Sequence, residues 1–313
     1  MVARNRNSQA RMLLLAGVFL VFGGGGAAFA QTPDDPSLDL RISPSVAPLD
    51  PERAREEAIL TGRDDVVLLD RRKFFTLNGA LGGGYTTNAA LSETDRRSDT
   101  YGVANISLRA ETKIANHVDV HAEIGLSATR YEEFGGLDYS AFVSSFGAHV
   151  QWRRIDFDAA YTPIVVYDRA LSERQLTQHR FVASAGRTFS LPRSTALRVS
   201  ISAERINADP DPFSNSAVSA SAAVGAPISR RRNMQAFASV RGVARNYDNY
   251  FEGLVGVPRE DRLLEGAVGA SWTPRPNVAV EARWTQSRNR STSDVNRYRA
   301  GNGGVSLGAV IRF

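Results

Sequence analysis

His117, Asp119, His121 and Glu123 occupy every second position of one stretch, with Val118, Val120, Ala122 and Ile124 between them. Imidazoles and carboxylates at that spacing raise the question of a metal site. In an extended chain, alternate residues of one face stand about 6–7 Å apart. His117 and His121 would then be roughly 13 Å apart, too far to share one ion. Neighbouring pairs could ligate only with help from adjacent strands, and a hydrated polar face is the simpler reading. Nucleophilic catalysis finds no better support. The four histidines are His117, His121, His149 and His179, and no Gly-x-Ser-x-Gly turn accompanies them. Gly82-Gly83-Gly84 sits inside an alternating stretch with no helix after it, unlike a phosphate loop. Cysteine is absent, which excludes disulfides, thiolate metal ligands and a lipid-modified N-terminal cysteine. No catalytic residue, metal or cofactor is expected, and the chain does not read as an enzyme.

The elements that would carry these residues have a period of two. Val118, Val120, Ala122, Ile124, Leu126 and Ala128 share one parity, and His117, Asp119, His121, Glu123, Ser127 and Thr129 the other. A helix would scatter those charges around its circumference. The same alternation recurs in twelve stretches, from Phe75–Tyr85 through Leu197–Glu204 to Val305–Phe313. In the last one, Val305, Leu307, Ala309, Ile311 and Phe313 face one way. An open half-apolar edge strand invites aggregation, whereas closure removes the edge. Val305–Phe313 is therefore expected to pair with the first strand, Lys73–Asn88.

The connections sort by length. Asn88–Ser98, Tyr131–Leu137, Asp168–Leu176, Asn207–Ser214, Asn246–Arg262 and Arg288–Gly301 read as long polar loops. Thr112–Asn116, Trp152–Arg154, Leu191–Ser194, Ala226–Arg231 and Thr273–Asn277 read as short turns. A soluble sandwich has no reason to sort its loops this way; a membrane barrel with long outer loops and short periplasmic turns does. The apolar parity is rich in alanine, including Ala220, Ala222, Ala236 and Ala238, which suits lipid better than a close-packed core. Tyr85, Trp152, Tyr161, Trp272, Trp284 and Phe313 fall near strand ends, as interfacial girdles require. The expected fold is all-β: a transmembrane antiparallel up-and-down barrel over residues 73–313, in the cell outer membrane of a Gram-negative bacterium.

The N-terminal residues read differently. Arg4, Arg6 and Arg11 precede an apolar run at Met12–Phe22, and Ala28-Phe29-Ala30 forms a cleavage pattern. Residues 1–30 are expected to be a signal peptide, with three arginines and no acid, so its removal lowers the formal charge from +5 to +2. A nearly balanced exported chain is a poor nucleic-acid binder. Residues 31–72 carry Pro33, Pro36, Pro44, Pro48 and Pro51 and read as a mostly disordered periplasmic leader with a short helix near 51–61. A plug, or a docking peptide for a periplasmic partner, is the sharper alternative. Mean hydropathy of −0.25 looks soluble, but alternation hides a membrane barrel from that measure.

If the apolar parity faces lipid, the other lines a lumen. The candidates are Arg109, His117, Asp119, His121, Glu123, Arg154, Asp156, Asp158, Arg198, Glu204, Arg241, Glu281 and Arg283, with Glu111, Arg180 and Arg245 alongside. Two arrangements are open. A wet lumen would weakly favour small polar or anionic solutes. Alternatively, Arg–carboxylate pairs bridge across the barrel and close it, because unpaired buried charge costs several kcal/mol per ion.

Gly82-Gly83-Gly84-Tyr85-Thr86-Thr87-Asn88 with Ser98-Asp99-Thr100-Tyr101, and Asn289, Arg290, Ser291, Asp294 and Arg297-Tyr298-Arg299, resemble the first and last hairpins of a Gram-negative barrel family. This is the beta-barrel porin group found with exopolysaccharide functions, and the barrel of surface lipoprotein assembly modulators is similar. The resemblance implies a porin-like conduit for small solutes or an exported surface polymer. It also leaves room for a non-conducting scaffold or assembly partner in polysaccharide or lipoprotein export. It further implies that Phe313 is an assembly signal read by the outer-membrane barrel assembly machinery, and that outer-membrane lipid surrounds the chain.

Overall fold

The computed structural model describes residues 75–313, except 94–95, 116, 230, 232, 253–256 and 276. The expected signal peptide, and the expected leader with its helix near 51–61, lie outside the described residues. The strands are β1 (Phe75–Thr86), β2 (Asp99–Ala115), β3 (Val118–Tyr131), β4 (Tyr139–Trp152), β5 (Ile155–Tyr167) and β6 (Arg174–Leu191). They continue as β7 (Thr195–Asp209), β8 (Asn215–Ser229), β9 (Met234–Glu252), β10 (Val257–Arg275), β11 (Val278–Ser291) and β12 (Tyr298–Arg312). Each pairs antiparallel with its sequence neighbours, and β1 pairs with β12 to close the barrel. The expected partnership of the last and first strands holds, in a register running from Thr76↔Arg312 to Thr86↔Asn302.

Alternation sets the faces. Along β7, Val199, Ile201 and Ala203 are exposed while Arg198 and Ser200 are buried. An exposed Ile201 opposite a buried Arg198 inverts the order of a soluble protein and fits a barrel with lipid outside. Trp152, Trp272 and Phe313 form an exposed aromatic rim at the turn end. Tyr85 and Trp284 face outward nearer the loop end. Tyr161 departs from the expectation: it sits mid-strand on β5, stacked on Phe181 with ring centroids 4.8 Å apart, and its hydroxyl meets His179 Nδ1 at 2.7 Å.

The loops also depart from it. Asn246–Arg262 reads as one long loop, yet β9 runs to Glu252 and β10 starts at Val257. The stretches at 168–176, 207–214 and 288–301 likewise shorten to 168–173, 210–214 and 292–297. Polar residues end the alternation in the sequence because they leave the apolar belt, not because they leave the ladder. About 9–11 residues span the membrane when tilted, and β9 and β10 have 19 each. At the turn end, Arg153 and Arg154 join β4 to β5 with φ of 48° and 72°, the left-handed pair of a tight hairpin turn.

Replacing the exposed Ile201 with Arg is expected to cost about 2–4 kcal/mol in urea unfolding from lipid vesicles, as for a charge near mid-bilayer. Ser202→Arg on the opposite parity should cost clearly less. Equal costs would refute the assignment of faces.

Candidate functional site: the charged inner wall

Asp119, His121 and Glu123 on β3, Asp156 and Asp158 on β5, Arg198 and Glu204 on β7, Arg241 on β9 and Glu281 and Arg283 on β11 all take the inward parity, as does Arg109 on β2. His117 and Arg154 do not. Each is an exposed residue of a tight turn, where the period of two has already stopped and parity no longer assigns a face.

The charges are organised along the wall. Arg109 Nη2 lies 2.8 Å from Glu111 Oε2, and Nη1 lies 3.8 Å from Glu123 Oε2. His149 faces Asp158 at 3.2 Å and Asp156 at 3.9 Å. Arg198 reaches across β6 to Asp156 at 2.9 Å. Arg180 pairs with Glu204 between β6 and β7. Arg283 Nε lies 2.9 Å from Glu281 Oε1, and its guanidinium carbon is 5.1 Å from the Phe237 ring centroid. Near the loop end, Arg259 pairs with Asp261 at 2.7 Å and lies 3.9 Å above the Tyr247 ring. These pairs join residues on the same strand or on strands at most two apart. They therefore run along the wall rather than bridge the barrel.

The wall is polarised around its circumference. On β2–β5, Glu111, Asp119, Glu123, Asp156 and Asp158 outnumber Arg109 and Lys113. On β9–β11, Arg241, Arg245, Arg259 and Arg283 outnumber Asp261, Glu265 and Glu281. Glycines make room for the long side chains. A Cβ at Gly186 would lie 2.6 Å from Arg198 Nη2, and one at Gly147 would lie 2.4 Å from His121 Cε1. Both glycines face inward beside the strand that carries the large group, so a substituted side chain there would displace it.

The loop end has a different chemistry, which alternation alone does not reveal. Tyr139, Ala141 and Val143 of β4, Ile164 and Val166 of β5 and Leu176 of β6 form a buried apolar patch on the inner face. Phe213, 2% exposed, joins it from the connection between β7 and β8. The signal was present in Ile164-Val165-Val166 and Phe142-Val143, which are apolar on both parities. A second loop folds in over residues 87–93, where Leu91, like Leu263, packs against Tyr298 and Ala300. Asn88 anchors it, donating to the Ser92 carbonyl at 2.7 Å and the Arg299 carbonyl at 3.0 Å. In the next loop, Asp138 accepts the Tyr131 amide at 2.7 Å. Burial pushes its carboxyl above the usual range, and that hydrogen bond with Arg130 and Arg169 pulls it back.

No family model matches the chain, and no curated protein matches it. Among solved structures it is similar to an outer membrane channel from Pseudomonas putida F1, with a TM-score of 0.53 and 10% identity over 77% of this chain and 96% of that one. The translocator domain of the autotransporter NalP from Neisseria meningitidis is similar at a TM-score of 0.42 and 12% identity, over 84% of this chain and 99% of that one. A bacterial polysaccharide outer membrane secretin is similar at 0.44 and 10%, over 77% and 99%. At these identities the likeness is one of fold. A closed twelve-strand wall with an apolar belt outside and charges inside makes this chain an outer-membrane β-barrel, the coarser part of the resemblance read from its hairpins.

Arg198 is 1% exposed, so Arg198→Ala leaves Asp156 without its guanidinium inside the wall. The expected loss is about 3–5 kcal/mol in urea unfolding. Arg198→Met combined with Asp156→Leu should recover most of it. A single variant as stable as the parent would show that the pair carries no strength.

Proposed function

We propose that the barrel is a conduit across the outer membrane, for small polar or anionic solutes or for an exported surface polymer. The observation that supports this most is the polarised inner wall. Both arcs hold charges of both signs, with acids in excess on β2–β5 and one arginine in excess on β9–β11, and the pairs named above run along the wall. A transverse field of that kind orients polar solutes and sustains ordered water between the arcs. The inward-folded loops at Leu91 and Phe213 set the width of the outer mouth. They also favour a second reading, in which the covered barrel is a scaffold that works through its loops and through residues 31–72. In either case Phe313 serves assembly. It lies exposed at the turn end, stacked on Phe75 with centroids 6.0 Å apart, where the barrel assembly machinery can read it.

Purified mature protein in a planar bilayer is expected to give discrete conductance steps. Arg241→Ala with Arg283→Ala should shift the reversal potential in a salt gradient towards cation preference. Phe213→Ala should raise the conductance of each step. A silent bilayer, both with and without residues 31–72, would contradict the conduit and support the scaffold.

A further inference from the structure

Four arginines gather on the outside of the barrel. Arg262 of β10, Arg288 and Arg290 of β11 and Arg299 of β12 all face outward and are exposed. Arg262 stands opposite Arg290 in the ladder, and Arg288 opposite Arg299. Residues directly opposite have Cβ atoms about 4.5–5.5 Å apart, and like charges there repel. Arg288 feels the charges of both Arg290 and Arg299, offset in part by Glu93. None of the four makes an ion pair among the described residues. Other outward or loop arginines near the same end do: Arg205 with Asp248 at 2.6 Å, Arg174 with Asp209 at 3.1 Å, and Arg297 with Asp294 at 2.6 Å. Repulsion only partly offset on this sector, against ion pairs at the other arginines named, calls for an external anion.

Height along the barrel identifies the anion. Trp284 is outward on β11, two outward positions below Arg288. Its ring lies flat over the backbone of β12, where a Cβ at Gly301 or Gly303 would come within 2.7 Å of it. Leu264 stands opposite Arg288 and Val268 opposite Trp284, and Val305 and Leu307 continue the exposed apolar surface below. Trp272 of the turn-end rim stands opposite Val280, and Arg290 lies ten residues farther along β11, about the length that crosses the hydrocarbon layer, so the arginines stand at the level of the outer headgroups. Guanidinium forks match phosphate oxygens, and arginine keeps its charge at any physiological pH. We propose that the Arg262–Arg288–Arg290–Arg299 cluster is a binding site for the phosphate groups of a phosphorylated glycolipid of the outer leaflet. The acyl chains of that lipid lie along the smooth surface beside Trp284.

The full mature protein, in mixed micelles, is titrated with diphosphorylated lipid A and with enzymatically dephosphorylated lipid A. The phosphorylated lipid should bind more tightly. Arg288→Gln with Arg290→Gln and Arg299→Gln should weaken its binding on the order of a hundredfold, at about 1 kcal/mol per surface arginine. Arg205→Gln, which removes an already paired charge of the same outer face, should leave binding within about twofold. Heat-shifted gel migration confirms that each variant is folded. Inorganic phosphate at millimolar concentration should not displace the lipid, because it lacks the acyl contacts. Equal binding of the two lipids, equal binding by the triple variant, or displacement by inorganic phosphate alone would each overturn the assignment.

Discussion

The structure depends on backbone hydrogen bonding in a place with no water to supply it. Each unpaired amide or carbonyl in lipid costs several kcal/mol, so a strand can enter only if both its edges are paired. Every strand from β2 to β11 meets that condition through its sequence neighbours; β1 and β12 meet it only through each other. Their ladder runs to the last residue. The Phe75 amide donates to the Phe313 carbonyl at 3.2 Å, and the Phe313 amide returns a bond at 3.1 Å. The closing strand therefore has a structural duty that is separate from whatever passes through the barrel.

Closure fixes two surfaces with opposite demands. The outer one needs no jigsaw packing, which accounts for Ala220, Ala222, Ala236 and Ala238 on its face. The inner one has to house Arg198, Arg241, Arg283 and their carboxylates at close quarters. It does so with glycines at Gly147 and Gly186 that yield space to the neighbouring strand, and with ion pairs that follow the wall. Towards the outer mouth the wall turns apolar and receives Phe213 and Leu91 from the loops. The same chain thus presents a charged mid-section and a greasier, loop-covered entrance. On its outer face at that level, it carries four arginines whose mutual repulsion Glu93 offsets only in part.

Much of this was legible in the residues. The twelve strands, their polarity and the pairing of the ends follow from a period of two, which any barrel must keep. Most inward charges follow from the same parity. What stayed hidden lies where parity ends or carries no contrast. His117 and Arg154 continue the alternation on paper but sit in turns whose backbone has changed direction. The 246–262 stretch looks like a loop because Asn246, Asp248 and Arg262 are polar, whereas in the barrel they extend a hairpin beyond the membrane. The apolar patch at Val143, Ile164 and Val166 escaped because both parities are apolar there, leaving no contrast to read. The clustering of Arg262, Arg290, Arg288 and Arg299 needs the register, which brings together residues up to 37 positions apart.

Odd and even residues of each strand face lipid and lumen respectively, or the reverse, around a closed wall. The chain contains no cysteine, so single cysteines can be placed at 199, 200, 201 and 202 of β7 without background. Spin labels at these sites, in protein reconstituted into vesicles, report collision with oxygen from lipid and with a water-soluble nickel complex. High oxygen access is expected at 199 and 201, and low oxygen access at 200 and 202. Uniform access at all four positions, or the opposite alternation, would contradict it.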